Sequence, residues 1–252
     1  LIEDGITPDT RVGYLAKNLD LYYELLFGAA KAGAVCLPIG WRLAASEVAY
    51  ILENGQVKQL FVGAEFEDLA REAVAAVDHD IKVIALESAD ATGFANWRDA
   101  QAAEAPSVTI DPEMTALQLY TSGTTGRPKG VMLTHRNLLE MWVSPEAATV
   151  SWNDWAGDDV CLVAMPLAHI AGTGWGLVSL LHGAGNVILR EFDPRAVLQM
   201  MVPAGITKMM VVPAALNFLI QMPGARKVDY SRLRLILYGA SPIPLDLLRQ
   251  VM

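Results

Sequence analysis

Short apolar runs alternate along the chain with longer segments in which apolar residues recur every three or four positions. Residues 19–30 have this helical spacing, and Gly33 follows them as a candidate C-cap. The apolar run at residues 34–37, which Pro38 stops, predicts a strand instead. This alternation predicts an α/β fold of layered, mostly parallel sheets flanked by helices.

The same alternation continues to the end of the chain. Helices are predicted at residues 46–54 and 65–77 and after Pro244. The pattern weakens at residues 88–111, where Ala, Asp, Glu and Pro accumulate, and we interpret this stretch as a surface connection and a candidate subdomain break. Strands are predicted at residues 59–62, 82–86, 115–120, 131–134, 159–165, 186–189, 208–212 and 233–238.

The composition indicates a folded protein that does not bind nucleic acid. The chain has 252 residues, of which 53% are hydrophobic and 19% are charged, so it can bury a substantial core. The net charge of -9 provides no basic face for a phosphate backbone. A nucleotide ligand is compatible with this charge, because it needs only a few local donors.

Cysteine usage, with no signal peptide or membrane span in the sequence pattern, makes the cytoplasm the default location. Cys36 and Cys161 lie far apart in apolar runs, as expected for buried free thiols in a reducing compartment. The four histidines show no metal-ligand spacing. No apolar stretch reaches the roughly 20 residues of a membrane span, and the first residues lack the basic start and apolar core of a signal peptide. We therefore expect no transmembrane segment.

The segment 120–130 has a composition suited to binding phosphate. It holds four Ser or Thr hydroxyls, three glycines and two cations. Glycines let the backbone approach a ligand and adopt positive φ, and consecutive N–H groups in such a turn form a concavity for anions. Lys129 adds a point charge for a polyphosphate. On composition alone, a flexible hairpin loop without a ligand remains the alternative.

The loop differs from a Walker A motif, which has four residues between its glycines and leads into a helix. Here two residues separate Gly123 from Gly126, and a predicted strand follows. A second glycine run also needs an interpretation. Gly172, Gly174 and Gly176 indicate close helix packing or room for an acyl chain, because the flanking elements are wrong for a dinucleotide site.

Four segments together carry a resemblance to a known family. Residues 120–130 resemble the phosphate-binding signature of the adenylate-forming superfamily, which includes acyl-CoA synthetases, luciferases and nonribosomal-peptide adenylation domains. Residues 33–39 resemble the helix-strand unit upstream of that loop, and residues 165–169 resemble the segment whose histidine borders the acyl pocket. Residues 238–243 resemble the adenine-binding turn. The chain is therefore most similar to an AMP-forming acyl-CoA synthetase of the fatty acyl-CoA ligase type.

The resemblance implies a role for each matching residue. His169, Ile170 and Thr173 would line or gate the acyl site, and a satisfied core histidine is the alternative for His169. Lys129 and His169 are the candidate catalytic residues, and Thr121 is the candidate ligand of Mg²⁺. The adenine would contact Gly239, Ala240, Ser241 and Pro242. The ATP phosphates would contact Thr121, Ser122, Gly123, Thr124, Thr125, Gly126 and Lys129.

The resemblance also implies the domain organisation. Residues 1–252 match an incomplete part of the large N-terminal, ATP- and acyl-binding domain of the adenylate-forming fold, and the C-terminal domain is absent. The family's metal-binding glutamate, ribose-binding aspartate and catalytic lysine would lie beyond Met252. We therefore expect the 252-residue chain on its own to be an inactive, nucleotide-binding fragment.

The implied activity uses ATP, Mg²⁺ and coenzyme A. A carboxylic acid attacks the α-phosphorus of ATP to give an acyl-adenylate, and the thiol of coenzyme A then displaces AMP. Residues 168–173 carry no charge apart from that of His169, which favours a fatty or aryl acid over an amino acid. Loading of a carrier protein in place of coenzyme A is the alternative. The expected partners are small molecules without nucleic acid, and a homo-oligomer is compatible with the sequence.

Overall fold

The computed structural model of the protein describes residues 1–90, 93–123, 126–144 and 149–252. The chain divides into two units, Leu1–Glu140 and Met141–Met252, and each unit is built on its own sheet. The stretch at residues 88–111, our candidate subdomain break, lies within the first unit.

The sheet of the first unit has six strands: β1 (Arg11–Leu15), β2 (Val35–Pro38), β3 (Val57–Val62), β4 (Lys82–Ala85), β5 (Thr115–Thr121) and β6 (Lys129–Thr134). Their order across the sheet is β4-β3-β1-β2-β5-β6. Strands β1 to β5 run parallel to one another, whereas β6 pairs with β5 in the antiparallel sense. The last two strands therefore form a hairpin at one edge of an otherwise parallel sheet.

The helices that begin in the first unit are α1 (Leu21–Lys31), α2 (Ala45–Asn54), α3 (Glu67–Ala75), α4 (Phe94–Asp99) and α5 (His135–Val143), the last of which continues past Glu140. Side-chain capping fixes where two of them begin. The Asp20 carboxylate accepts from the Leu21 N–H at 3.0 Å, and the Glu47 carboxylate accepts from the Ala44 N–H at 2.8 Å. The apolar face of α2 then packs into a fully buried cluster with β2 and β3.

The second unit has a four-stranded, fully parallel sheet in its core. Its strands are β7 (Val160–Val163), β8 (Gly185–Ile188), β9 (Lys208–Val211) and β10 (Leu235–Tyr238). Their order is β10-β9-β7-β8. The crossover helices are α6 (Ile170–Leu181), α7 (Pro194–Met201) and α8 (Pro213–Gln221), and α9 (Leu245–Val251) follows β10. None of the helices in the described part of the chain is long and apolar enough to cross a membrane.

A charge cluster around the buried Asp159 and Lys208 joins the amino ends of β7, β9 and β10. Arg234 Nη2 lies 2.6 Å from both carboxylate oxygens of Asp159, and Thr207 Oγ1 donates to the same carboxylate at 2.6 Å. Lys208 Nζ lies 3.7 Å from this carboxylate. Burial by itself would raise the pKa of Asp159, but its hydrogen bonds and the nearby cations outweigh burial and lower it. Burial lowers the pKa of Lys208 despite the attraction of Asp159, whose closer partner is Arg234.

The predicted fold class is confirmed, because both sheets are mostly or wholly parallel and carry crossover helices. The apolar runs also predicted, within a few residues, nine of the ten strands in the described part of the chain, and β1 is the strand that they did not predict. Helix α4 was not predicted either, since it lies in the stretch that we interpreted as a surface connection. Phe94 and Trp97 anchor this helix, with ring centroids 5.8 and 5.2 Å from that of Phe61 on β3.

Candidate functional site

The predicted phosphate loop is the tip of the β5–β6 hairpin. Tyr120 pairs with Gly130, and Thr121 pairs with Lys129, so the hairpin register fixes both ends of the loop. The side chains of Thr121, Ser122 and Lys129 are exposed to solvent. The roles predicted for Thr124 and Thr125 lie outside the described residues.

Two glycines of the loop meet backbone requirements that other residues would not. Gly126 has φ of 93°, in the left-handed region where a side chain is strained. A Cβ on Gly123 would lie 2.4 Å from the Arg127 carbonyl oxygen, which is closer than real contacts allow. The chain therefore turns back tightly on itself, as the composition of the loop predicts.

The charge at the loop suits an anion. Lys129 forms no ion pair with any residue that the structure describes, so its ammonium group is not neutralised by a neighbouring carboxylate there. The Arg127 guanidinium carbon lies 5.5 Å from the centroid of the Tyr50 ring. Exposed hydroxyls, a tight turn and a cation thus fit the phosphates of a nucleotide.

A metal site is less complete than the phosphate site. Within the described ranges, no three His, Cys, Asp or Glu residues come together as metal ligands. The hydroxyl of Thr121 is a single oxygen ligand, and Mg²⁺ typically takes one or two carboxylates together with phosphate oxygens. The role of Thr121 in holding Mg²⁺ therefore stays a prediction.

The other predicted segments follow the carboxyl ends of strands in the second unit. Residues 164–169 connect β7 to α6, and residues 239–242 follow β10. Because β7, β9 and β10 are parallel, both segments lie at the same edge of this sheet, with β9 between their strands. Ligands of open α/β sheets bind outside the carboxyl ends of the strands. This edge is thus suited to binding a ligand.

The acyl candidates at the start of α6 differ in exposure. His169 and Ile170 are exposed, and Ile170 retains 48% of its accessible surface. Thr173 is fully buried, and its hydroxyl donates to the Leu167 carbonyl oxygen at 2.6 Å. Thr173 therefore holds the turn that presents His169, and a direct contact with an acyl group stays a prediction.

Gly172 packs closely against the turn before α6. A Cβ at this position would lie 2.4 and 2.5 Å from the carbonyl oxygens of Pro166 and Met165. Of the two interpretations of the glycine run, the geometry at Gly172 supports close packing. The exposed Ile170 is consequently a better point than Gly172 at which to test acid selectivity.

The predicted adenine turn contains a residue with unusual backbone geometry. Ala240 has φ of 67°, a left-handed conformation that costs an alanine about 1–2 kcal/mol. Ala240, Ser241 and Pro242 are exposed, whereas Gly239 is partly buried. Non-glycine residues in this conformation concentrate at ligand sites, so the strain is consistent with the predicted role.

We expect Ala240→Gly to raise the free energy of unfolding of the full-length protein by about 0.5–1 kcal/mol. Glycine removes the left-handed penalty but costs chain entropy, and the first effect is the larger. Ala214→Gly, at an exposed position in α8 of the same unit, is the matched control and should lower that free energy by about 0.5–1 kcal/mol. Urea unfolding measures both changes, and equal losses in the two variants would contradict the argument.

The structure thus places the predicted residues in two groups. Those of the phosphate loop lie together in the first unit, and those of the acyl segment and the adenine turn lie along one sheet edge of the second unit. The contacts that hold the loop, made by Tyr50 and Asn54, were not predicted, because no local pattern marks these two residues on α2.

The fold, with a hairpin loop that turns at two glycines and carries an exposed lysine, is that of an adenylate-forming enzyme. A family model described as AMP-binding enzyme matches residues 1–252, so the chain belongs to that family. This confirms the resemblance drawn from the sequence.

Similar proteins include ligases that differ in acid and in acyl acceptor. The fatty acid–[acyl-carrier-protein] ligase ScoC of Streptomyces coeruleorubidus is 37% identical over 247 residues, which cover 98% of this chain and 46% of that protein. A feruloyl-CoA synthase of Amycolatopsis is 36% identical over 244 residues, covering 96% of this chain and 46% of that protein. The chain therefore spans about half the length of these curated relatives.

A solved structure shows the same fold. The inhibitor-bound N-terminal domain of FACL13 from Mycobacterium tuberculosis aligns with a TM-score of 0.86 at 30% identity. The alignment covers 99% of this chain and 61% of the FACL13 chain.

Proposed function

We propose that the full-length protein activates a carboxylic acid with ATP and transfers the acyl group to the thiol of coenzyme A. The observation that carries this proposal is the tip of the β5–β6 hairpin, where exposed hydroxyls and Lys129 surround a tight glycine turn. Membership of the AMP-binding enzyme family supports it.

In the first half-reaction, a carboxylate oxygen of the acid attacks the α-phosphorus of ATP, and pyrophosphate leaves. Lys129 stabilises the negative charge on the phosphates, and the loop amides and hydroxyls orient them. In the second half-reaction, the thiol attacks the carbonyl carbon of the adenylate, and AMP leaves. The residues described here act by binding and orientation, and the predicted Mg²⁺ would supply further charge neutralisation.

The acid is a fatty or aryl acid. Of the exposed acyl candidates, Ile170 provides an apolar side chain and His169 an imidazole, and neither is a carboxylate that could pair with the ammonium group of an amino acid. The two curated relatives are consistent with this class, since their names give a fatty acid and ferulate as substrates.

A carrier protein is the second candidate acceptor, and the similarity to an acyl-carrier-protein ligase favours it. The test incubates the full-length protein with ATP, a panel of fatty and aryl acids, and either coenzyme A or a phosphopantetheinylated carrier protein. We expect mass spectrometry to detect acyl-CoA, AMP and pyrophosphate. Acylation of the carrier protein alone would assign the second acceptor, and no ATP consumption with any acid would contradict both.

A further inference from the structure

Two side chains of α2 hold both ends of the phosphate loop. The Tyr120 hydroxyl, just before the loop, donates to Asn54 Oδ1 at 2.6 Å. The Tyr50 hydroxyl donates to the carbonyl oxygen of Pro128, just after the loop, at 3.1 Å. Residues 50 and 54 are four positions apart in the helix and therefore lie on the same face.

Helix α2 is a firm support for these contacts. On its other side Val48, Ile51 and Leu52 are fully buried in the core of the first unit. Immediately after the helix, Gly55 has no room for a Cβ, which would lie 2.7 Å from Leu37 Cδ1. The position of this face relative to the sheet is therefore fixed by packing.

The hydroxyl of Tyr120 is a neutral donor. Burial raises the pKa of Tyr120, and the neighbouring Tyr50 raises it further. The Gln118 amide nitrogen also lies 3.4 Å from this hydroxyl. Tyr120 is therefore protonated at neutral pH and can donate to Asn54 there.

Both contacts are one residue away from a predicted phosphate ligand. Pro128 directly precedes Lys129, and Tyr120 directly precedes Thr121. A catalytic group that is misplaced by about 1 Å can lose roughly 100-fold in rate. A helix that fixes the backbone on both sides of the loop can therefore control where the ammonium and hydroxyl groups lie.

We propose that Tyr50 and Asn54 are positioning residues, which hold the two ends of the loop at the spacing that the phosphates of ATP require. This inference rests on the proposed function of the loop. Both residues act through the backbone or through Tyr120, and neither touches the substrate.

The test compares Tyr50→Phe, Asn54→Ala, Tyr120→Phe and the Asn54→Ala/Tyr120→Phe double variant of the full-length protein in acid-dependent pyrophosphate exchange. Each single variant should lower kcat/KM for ATP by about 2- to 10-fold, as expected for the loss of one hydrogen bond. The KM for the acid should stay within about twofold. Because Asn54 and Tyr120 share one hydrogen bond, the double variant should lose no more kcat/KM for ATP than the more impaired of the two single variants.

Ser46→Ala is the matched control, because Ser46 is an exposed residue in the first turn of the same helix. It should change neither kinetic constant. Amide hydrogen exchange is a second readout, independent of activity, and it should quicken at residues 126, 127, 129 and 130 in Tyr50→Phe but not in Ser46→Ala. Tyr50→Phe removes only one hydroxyl, so it tests the inference even if Asn54→Ala does not fold.

The outcomes separate the inference from the proposed function. If Tyr50→Phe and Tyr120→Phe keep the wild-type kinetics of pyrophosphate exchange, and amide hydrogen exchange in the loop is unchanged, the positioning role alone is overturned. An equal rise of KM for ATP and for the acid would indicate a general structural defect and would also overturn it. If the wild-type protein shows no pyrophosphate exchange with any acid, the proposed function fails. Amide hydrogen exchange then still decides whether α2 holds the loop.

Discussion

We expect Lys129→Ala to slow acyl-adenylate formation by the full-length protein about 10- to 1000-fold, which corresponds to about 1.4–4 kcal/mol of transition-state stabilisation. Lys129 is exposed at the end of the loop and pairs in register with Thr121. Its ammonium group can therefore approach the phosphates, where negative charge must be stabilised during transfer. Acid-dependent pyrophosphate exchange measures the effect.

Stability should not change with this substitution. An exposed side chain outside any ion pair of the described residues contributes less than about 0.5 kcal/mol to folding. Lys58→Ala, which removes another exposed lysine from the same unit, should leave the exchange rate within about twofold of wild type. Exchange by Lys129→Ala at the wild-type rate would refute the assignment of this residue to the phosphates.

The largest expected change in stability is for Asp159→Asn, which should lower the free energy of unfolding by about 3–5 kcal/mol. The amide cannot balance the positive charges of Arg234, 2.6 Å away, and Lys208, which is only 2% exposed. A buried cation without its counter-charge is costly. The ring of Trp155, whose centroid lies 4.1 Å from the Lys208 ammonium, does not replace that counter-charge. Urea unfolding monitored by tryptophan fluorescence measures the loss.

Two further variants separate this effect from a general loss of negative charge. Asp158→Asn changes the exposed neighbour of Asp159 and should alter the free energy of unfolding by less than about 0.5 kcal/mol. Lys208→Met removes the buried ammonium and leaves Asp159 with Arg234, so it should cost less than Asp159→Asn. Equal losses in Asp158→Asn and Asp159→Asn would contradict the explanation.

The contribution of Asp159 should also depend on pH. Its pKa in the folded protein is lowered from the ordinary value of 3.8, so the ionised carboxylate favours folding. This stabilisation is fully present above pH 4 or so and is lost as the pH falls through the lowered pKa. The difference in stability between wild type and Asp159→Asn should therefore shrink in acid.

The sequence predicted the elements whose signal is local and lacked a signal for those that depend on distant contacts. Most strands are short apolar runs that alternate with amphipathic helices, so the hydrophobic pattern predicts them. Strand β1 carries Gly13, whose missing side chain leaves room for Leu60 of β3, where a Cβ would lie 2.7 Å from Leu60 Cδ1. A glycine that serves packing against another strand weakens the apolar pattern of its own strand.

The candidate site shows the same limit. The loop could be predicted because its glycines, hydroxyls and lysine lie within eleven consecutive residues. The bond from Tyr50 to Pro128 joins residues 78 positions apart, and it forms only because the sheet order brings α2 beside the hairpin. Thr173 is likewise buried because its hydroxyl bonds to the turn before α6. The sequence motif that marked Thr173 as an acyl candidate does not reveal this bond.

The two cysteines give this chain a practical advantage for spectroscopy. Cys36 and Cys161 are fully buried, and burial raises the pKa of each thiol to about 12. Maleimide dyes react with thiolates at accessible positions, and neither native thiol provides one. A cysteine introduced at the exposed Arg127 would consequently be the position in this chain that takes up the dye. The nucleotide binding that we propose for the hairpin tip can then be tested as a fluorescence change with both native cysteines in place.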